Sequence, residues 1–261
     1  MNLIKRSMPA IVMCVLAARS SAEPVAVRHA EGLTHGFLTL RSAEGALLAN
    51  GDLIQNLVGG RVSSRLVFRF KDGSLSDETS VFSQRGQFRL LTYHLIQRGP
   101  AFAQPLEMRI DTATGRVVVR YKNDHGEEKV EDEQMKLPPD LANGMLSTLL
   151  KNVRRDALPA SLPLVVATPK PRLVKAVPSL AGSDPFSTGG TARKATHYVL
   201  KIDIGGIAGV VAPLIGKQPP DSHVWILESE APAFVRSRAP MFMGGGLWQT
   251  ELVSPAWPRG R

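Results

Sequence analysis

Through the first half of the chain, apolar and polar positions alternate with a period of two, the pattern of strands that bury one face. In RLVFRF, Leu66, Phe68 and Phe70 point one way, and Arg65, Val67 and Arg69 the other. In QFRLLTYHLIQRG, Phe88, Leu90, Thr92, His94 and Ile96 share one predicted face. The opposite face, Arg89, Leu91, Tyr93, Leu95 and Gln97, is also largely apolar or aromatic, which predicts a strand covered on both sides. LEMRIDTATGRVVVRY reads as a hairpin, with Leu106, Met108 and Ile110 leading into a turn at 111–115 and Val117, Val119 and Tyr121 leading out. Lys71-Asp72-Gly73 and Asn123-Asp124-His125-Gly126 mark further turns. Strand-like runs follow at 164–167 and 173–177. In THYVLKIDI, Tyr198, Leu200, Ile202 and Ile204 alternate against Val199, Lys201 and Asp203. HVWILE and GGGLWQTELV read as two more strands.

One helix interrupts this pattern. In LPPDLANGMLSTLLKNVRRD, Pro138-Pro139-Asp140 is a start signal with Asp140 as candidate N-cap. Leu141, Met145, Leu146, Leu149 and Leu150 then fall on one helical face, and Lys151, Arg154 and Arg155 suit the negative end of the helix dipole. Gly144 weakens such a helix by about 1 kcal/mol relative to alanine, so tertiary packing has to hold it. The region 156–195 is punctuated by prolines, and AGSDPFSTGGTARKA (181–195) reads as a surface loop. Strands about ten residues apart favour antiparallel pairing over βαβ units. The predicted fold is mainly β: a large curved antiparallel sheet or partly open barrel with one principal helix packed against it, in a single domain spanning 23–261.

The N-terminus narrows the address. Lys5 and Arg6, the apolar run Pro9 to Ala18, and the small residues Ser20-Ser21-Ala22 have the order of a secretory signal over 1–22. The apolar run is shorter than the roughly 20 residues that span a bilayer. Cys14 follows Ile11-Val12-Met13, but Met13 stands where a lipoprotein signal needs a small residue, so the expectation is export as a periplasmic or secreted protein. Cys14 is the sole cysteine, so the mature chain forms no disulfide and carries no thiolate nucleophile. Losing Lys5, Arg6 and Arg19, and no acid, lowers the formal charge from +9 to +6. That basicity is spread along the chain, which argues against nucleic acid as partner and is compatible with an anionic membrane surface.

The stretch DIGGIAGVVAPLIGKQPPD (203–221) has the look of a phosphate loop but not its spacing. The glycine required five residues before Gly216 is Val211, Gln218 stands where Ser or Thr would meet magnesium, and Pro213 removes an amide. Gly205, Gly206 and Gly209 do not make a dinucleotide fingerprint. Between Ile204 and Ile215 the run is too short to span a membrane. Two readings stay open: a tight apolar connection packed on the core, or an apolar lip beside a cavity with Lys217 at headgroup height.

Other constellations yield little. The histidines form no HExxH or His-x-His pair, no Gly-x-Ser-x-Gly elbow is present, and the acidic run Glu127 to Glu133 lacks calcium-loop spacing and reads as a solvated strand edge. No cofactor or metal is implied, and no residue is assigned as catalytic. His94 reads as a core or cavity-wall histidine. His197 and His223 open successive strands, and with Asp203 they could be drawn as an acid–base group. Trp225, Phe234, Phe242, Trp248 and Trp257 gather late in the chain, as core or as pocket lining.

The helix LPPDLANGMLSTLLKN, ATPKPRLVK, IGGIAGVVAPLIGKQPPDSHVWIL and GGGLWQTELVSPAWP together are similar to a group of exported bacterial proteins of unassigned function. That resemblance implies export and a shared fold, and it assigns no catalytic residue. In layout alone, a curved sheet with a helix on its concave face resembles LolA/LolB-like lipoprotein carriers. The expectation is a non-enzymatic exported protein that binds a hydrophobic or anionic amphiphile in or beside the sheet, through Ile207, Val211, Leu214, Lys217, Trp225 and Trp248. The alternatives are a structural cell-envelope protein engaging a protein partner and, more remotely, an exported hydrolase.

Overall fold

The computed structural model describes residues 24–123, 125–166, 170–188, 190–205 and 219–253. The predicted signal segment at 1–22 lies outside them. Fourteen strands form one antiparallel sheet: β1 (Thr34–Arg41), β2 (Leu47–Val58), β3 (Arg61–Phe70), β4 (Leu75–Arg85), β5 (Gln87–Arg98), β6 (Leu106–Asp111), β7 (Arg116–Lys122), β8 (Glu128–Gln134), β9 (Leu162–Val166), β10 (Arg172–Thr188), β11 (Thr191–Asp203), β12 (Ser222–Leu227), β13 (Phe234–Ala239) and β14 (Trp248–Val253). Among the described residues a single α-helix, α1 (Leu146–Asn152), stands between β8 and β9. The spatial order runs from β8 down to β1, then from β14 down to β9. Two meanders are therefore joined where the first strand pairs with the last, Leu38 opposite Leu252 and Leu40 opposite Thr250. The sheet does not close, and β8 and β9 are its edges.

The segment between the edges occupies the gap. The Ala142 amide donates to the Pro163 carbonyl at 2.8 Å. The buried Asn143 side chain donates to the Val165 carbonyl and accepts from the Val165 amide, both at 2.8 Å. Edge strand β9 is thus capped by a side-chain amide instead of another strand. The opposite edge, β8, is the acidic run, and its side chains face solvent.

Burial on the concave face is divided between two clusters. The larger joins Val62, Phe82 and Phe88 from one meander, Leu162, Leu200 and Ile226 from the other, and Leu149 and Leu150 of α1. Strands so far apart in sheet order meet on the helix because the sheet curves around it. Each fully buried Phe there contributes about 1.5–3 kcal/mol. The smaller cluster, toward the other end of the strands, holds Leu38, Leu40, Phe68, Phe70 and Phe102. Phe70 and Phe102 meet edge-on at 5.4 Å, and Phe242 and Trp248 pack against them.

Several local expectations change. The helix has 7 residues and begins at Leu146, about a turn and a half later than the predicted start after Asp140, because the Ala142 amide and the Asn143 side chain serve β9 and Gly144 turns the chain. Gly144 is not inside it: at φ +67 it turns the chain before α1. Asp140 does not cap the helix; it is buried, its Oδ2 has no partner, and burial raises its pKa. In β5 the pairing slips between Val81 and Phe82, leaving Leu91 as an extra residue. Tyr93, Leu95 and Gln97 therefore follow Phe88 and Leu90 into the interior, and Thr92, His94 and Ile96 turn outward. The predicted loop at 181–195 is a β-hairpin paired from Gly182 with His197 out to Thr188 with Thr191. Its side chains are mostly exposed, so no burial pattern marked it as strand. The predicted hairpin at 106–121 forms in the expected register, with Met108 opposite Val119 and Ile110 opposite Val117.

Candidate functional site

Between the two clusters the concave face is not filled, and a cavity of about 1620 Å³ remains. The register of β1 to β5 explains its lining. One cross-strand row reads Thr34, Gln55, Ser64, Ser80 and Tyr93, each opposite the next. The adjacent row reads Gly36, Leu53, Leu66, Glu78 and Leu95, with Met108 of β6 beyond. All of these border the cavity. A belt of short polar side chains thus lies beside an apolar belt, because serines in β3 and β4 leave space where phenylalanines fill it at either end. The opposite wall is Val174, Leu200, Ile202, Val224 and Phe234, with Leu146, Thr148 and Lys151 of α1.

Two ionisable pairs border the cavity. Lys151 Nζ lies 2.5 Å from Glu31 Oε1, the two side chains 15% and 7% exposed. The Glu31 backbone is held by Gln84, whose Oε1 accepts from the Glu31 amide at 2.7 Å and whose Nε2 donates to its carbonyl at 2.9 Å. The second pair is Glu78 and Tyr93, the phenol donating to Oε1 at 2.6 Å. Burial raises the Glu78 pKa, and the Tyr93 hydrogen bond opposes this in part. Tyr93 is pushed well above its usual range by burial, the Glu78 charge and the hydrogen bond they share. Gly144 backs this pair: a Cβ there would come 2.9 Å from Ser80 Cβ and 3.1 Å from the Tyr93 ring.

The predicted site residues are scattered relative to the cavity. Ile207, Val211, Leu214 and Lys217 lie outside the described residues, as does Trp257. The chain on either side of that segment, at Ile204 and at Pro219 and Pro220, borders the cavity. Trp248 does not border it; it packs on Phe242, at 5.7 Å, and Phe242 does. Trp225 is on the outer face of the sheet, where it stacks on His197 at 4.2 Å and donates to Asp184 Oδ2 at 2.7 Å.

The two predicted histidines do meet, His197 Nε2 lying 2.9 Å from His223 Nδ1. Their acid is not Asp203, which is six residues along β11, about 20 Å away, and accepts from the Gly205 amide. Asp184, on the hairpin, stands 3.5 Å from His197 Nδ1 instead. Burial lowers the His197 pKa; Asp184 opposes this and His223 adds to it. His94 is not in the cavity wall. It faces outward and binds Glu107 at 2.7 Å, which also holds Arg109. Among the described residues no group of three His, Cys, Asp or Glu side chains could hold a metal ion.

Glu78, Tyr93, Glu31 and Lys151 escape a reading of the sequence by hydrophobic period. In β4 the inward positions are Ser76, Glu78, Ser80 and Phe82, so three of four look like surface. The usable signal is the Lys71-Asp72-Gly73 turn, which returns RLVFRF into a partner strand whatever that partner's composition.

No family model and no curated protein matches the chain, so no match supports a relationship to LolA/LolB-like carriers. A crystal structure of a β-barrel-like protein of domain of unknown function DUF1849 from Brucella abortus is similar to it at 11% sequence identity. The TM-score is 0.43, over 86% of this chain and 98% of that one.

Proposed function

We propose that this is an exported, non-enzymatic protein that holds a hydrophobic, lipid-like ligand on the concave face of a partly open barrel. The observation that carries the reading is the unfilled space between two packed clusters. At about 1620 Å³ it exceeds the roughly 300–1,000 Å³ usual for small-ligand pockets. A cavity of that size lined with leucine, valine and methionine loses dispersion contacts unless something occupies it. Met243, Leu252 and Val253 border the cavity and are also exposed, which gives it an apolar mouth. The likeness to lipoprotein carriers stays one of layout, and layout does not assign a cargo.

Native mass spectrometry of the mature protein taken gently from its own host envelope tests this. A co-purifying amphiphile, or saturable uptake of the neutral probe N-phenylnaphthylamine, is the expected result. Leu66→Trp, which places an indole in the cavity, should weaken probe uptake at least about ten-fold while the circular dichroism spectrum is kept. A folded protein that takes up neither lipid nor probe overturns the proposal.

A further inference from the structure

The charges around the cavity are balanced by near partners or lie at its exposed margin, with one exception. Glu31 and Lys151 neutralise each other at 2.5 Å. His35 reaches Asp52 at 3.3 Å, while Arg172 and Glu230 border the cavity from exposed positions and His29 from a half-buried one. Glu78 stands mid-wall between Leu66 and Leu95. Among the described residues its only hydrogen-bond partner is the neutral phenol of Tyr93, and no cation lies against it. A carboxylate kept in an apolar wall without a countercharge costs free energy that one hydrogen bond offsets only in part. A ligand carrying the missing positive charge removes that cost, and a ligand carboxylate increases it. Lys151 does not invert this preference, since its charge is already met by Glu31.

We propose that the cavity selects amphiphiles with a protonated amine head, received by Glu78; this rests on the cavity being a ligand site. An ammonium has three donors. Glu78 accepts one; Ser80 and Ser64, opposite each other one row along the same wall, also border the cavity, and their hydroxyls keep acceptor capacity, Ser80 Oγ donating to the Gly144 carbonyl at 3.3 Å and Ser64 Oγ accepting from Gln55 at 3.4 Å. Tyr93 holds the carboxylate in place from the far side of the pair. The apolar belt of Leu53, Leu66, Leu95 and Met108 then takes the hydrocarbon chain. At long range the mature chain's formal charge of +6, the full +9 less Lys5, Arg6 and Arg19, repels such a ligand and attracts its anionic counterpart. A preference for the amine therefore has to come from the site.

The test is displacement of N-phenylnaphthylamine from the mature protein by dodecylamine, dodecanol and dodecanoate, each below its micellar concentration at neutral pH. The wild type should bind the amine about ten-fold more tightly than the alcohol, the worth of one charge-assisted hydrogen bond, and the carboxylate most weakly. Glu78→Gln should collapse the amine-to-alcohol affinity ratio, measured within the same protein, from about ten-fold to within about two-fold. Equal binding of all three, or a carboxylate preference, overturns the amine assignment and leaves the cavity reading standing. An amine preference that survives in Glu78→Gln overturns the role of Glu78. Absence of any binding, probe included, overturns both. Should Glu78→Gln fail to fold, the order of the three heads on the wild type still decides.

Discussion

Two hydrogen-bonded groups of ionisable side chains lie on opposite faces of the same sheet, and their surroundings separate them. On the concave face, Glu78 and Tyr93 share one bond in an apolar wall, with no cation among the described residues. On the convex face, His197, His223, Trp225 and Asp184 form a chain of contacts, with Arg236 5.5 Å from the centre of the Trp225 ring. The outer group includes an acid that is half exposed, so water and neighbours answer a change of charge there. The inner group has no such countercharge: Glu78 is half-buried, and among the described residues its hydrogen-bond partner is the neutral Tyr93 phenol. Equal hydrogen bonds in these two places carry unequal consequences, because desolvation and not bond geometry sets the cost of charge.

The sharpest way to break this comparison uses one glycine from each face. Gly144, at φ +67, leaves no room for a Cβ against Ser80 and Tyr93, whereas Gly182, at φ +133 beside the outer group, has nothing within 4 Å. Gly144→Ala should cost about 3 kcal/mol, strain and overlap together, and Gly182→Ala about 1 kcal/mol, from strain alone. Urea unfolding measures both, and equal costs would show that the inner pair is no more tightly held than the outer.

A smaller effect comes from Glu78→Gln. The folded-state pKa of Glu78 is raised, so folding binds protons there, and stability falls as pH rises from the ordinary carboxylate value of 4.5 through the folded value. The variant should therefore melt a few degrees higher than wild type at neutral pH. The gap should close as pH is lowered toward 4.5. Thermal unfolding across that range checks the sign, and no gap at neutral pH would mean that Glu78 is well solvated.

The smallest effect belongs to the outer group. Burial depresses the His197 pKa, so its contribution is fully present above the ordinary value of 6.5 and is lost as pH falls toward the folded value. His197→Gln should flatten the decline in melting temperature between about pH 7 and 5.5 by no more than a degree or two. A larger change would place this group on a par with the inner one.

Legibility followed burial. RLVFRF, LEMRID, RVVVRY and THYVLKID announced themselves because large side chains alternate where one face meets the core. The described side chains of the hairpin tip from 181 to 194 are mostly exposed, so its sequence carries turn residues and no period. Strand β4 was silent for the opposite reason: it faces the interior with Ser76, Glu78 and Ser80, and the last two border the cavity. Glu78 and Ser80, which border the cavity, are the residues that break the hydrophobic period of β4. The late tryptophans misled in turn, since Trp225 finds its partners on the outer face and Trp248 within an aromatic cluster. His197 and His223 were correctly read as neighbours, but their acid came from the hairpin tip that composition had marked as loop.

By itself the sequence determined the mainly β character, the hairpin at 106–121 and the polar edge at β8, all of which depend on residues close along the chain. Only the tertiary structure decided that β1 pairs with β14, that one bulge at Leu91 turns Tyr93 inward, and that Asn143 caps β9 in place of a longer helix. Those features join residues distant in sequence, and each depends on which partner's backbone and which empty volume the folded chain presents. The position of Glu78 in a wall without a cation is of that kind, since its charge is unremarkable until the sheet has curved around it.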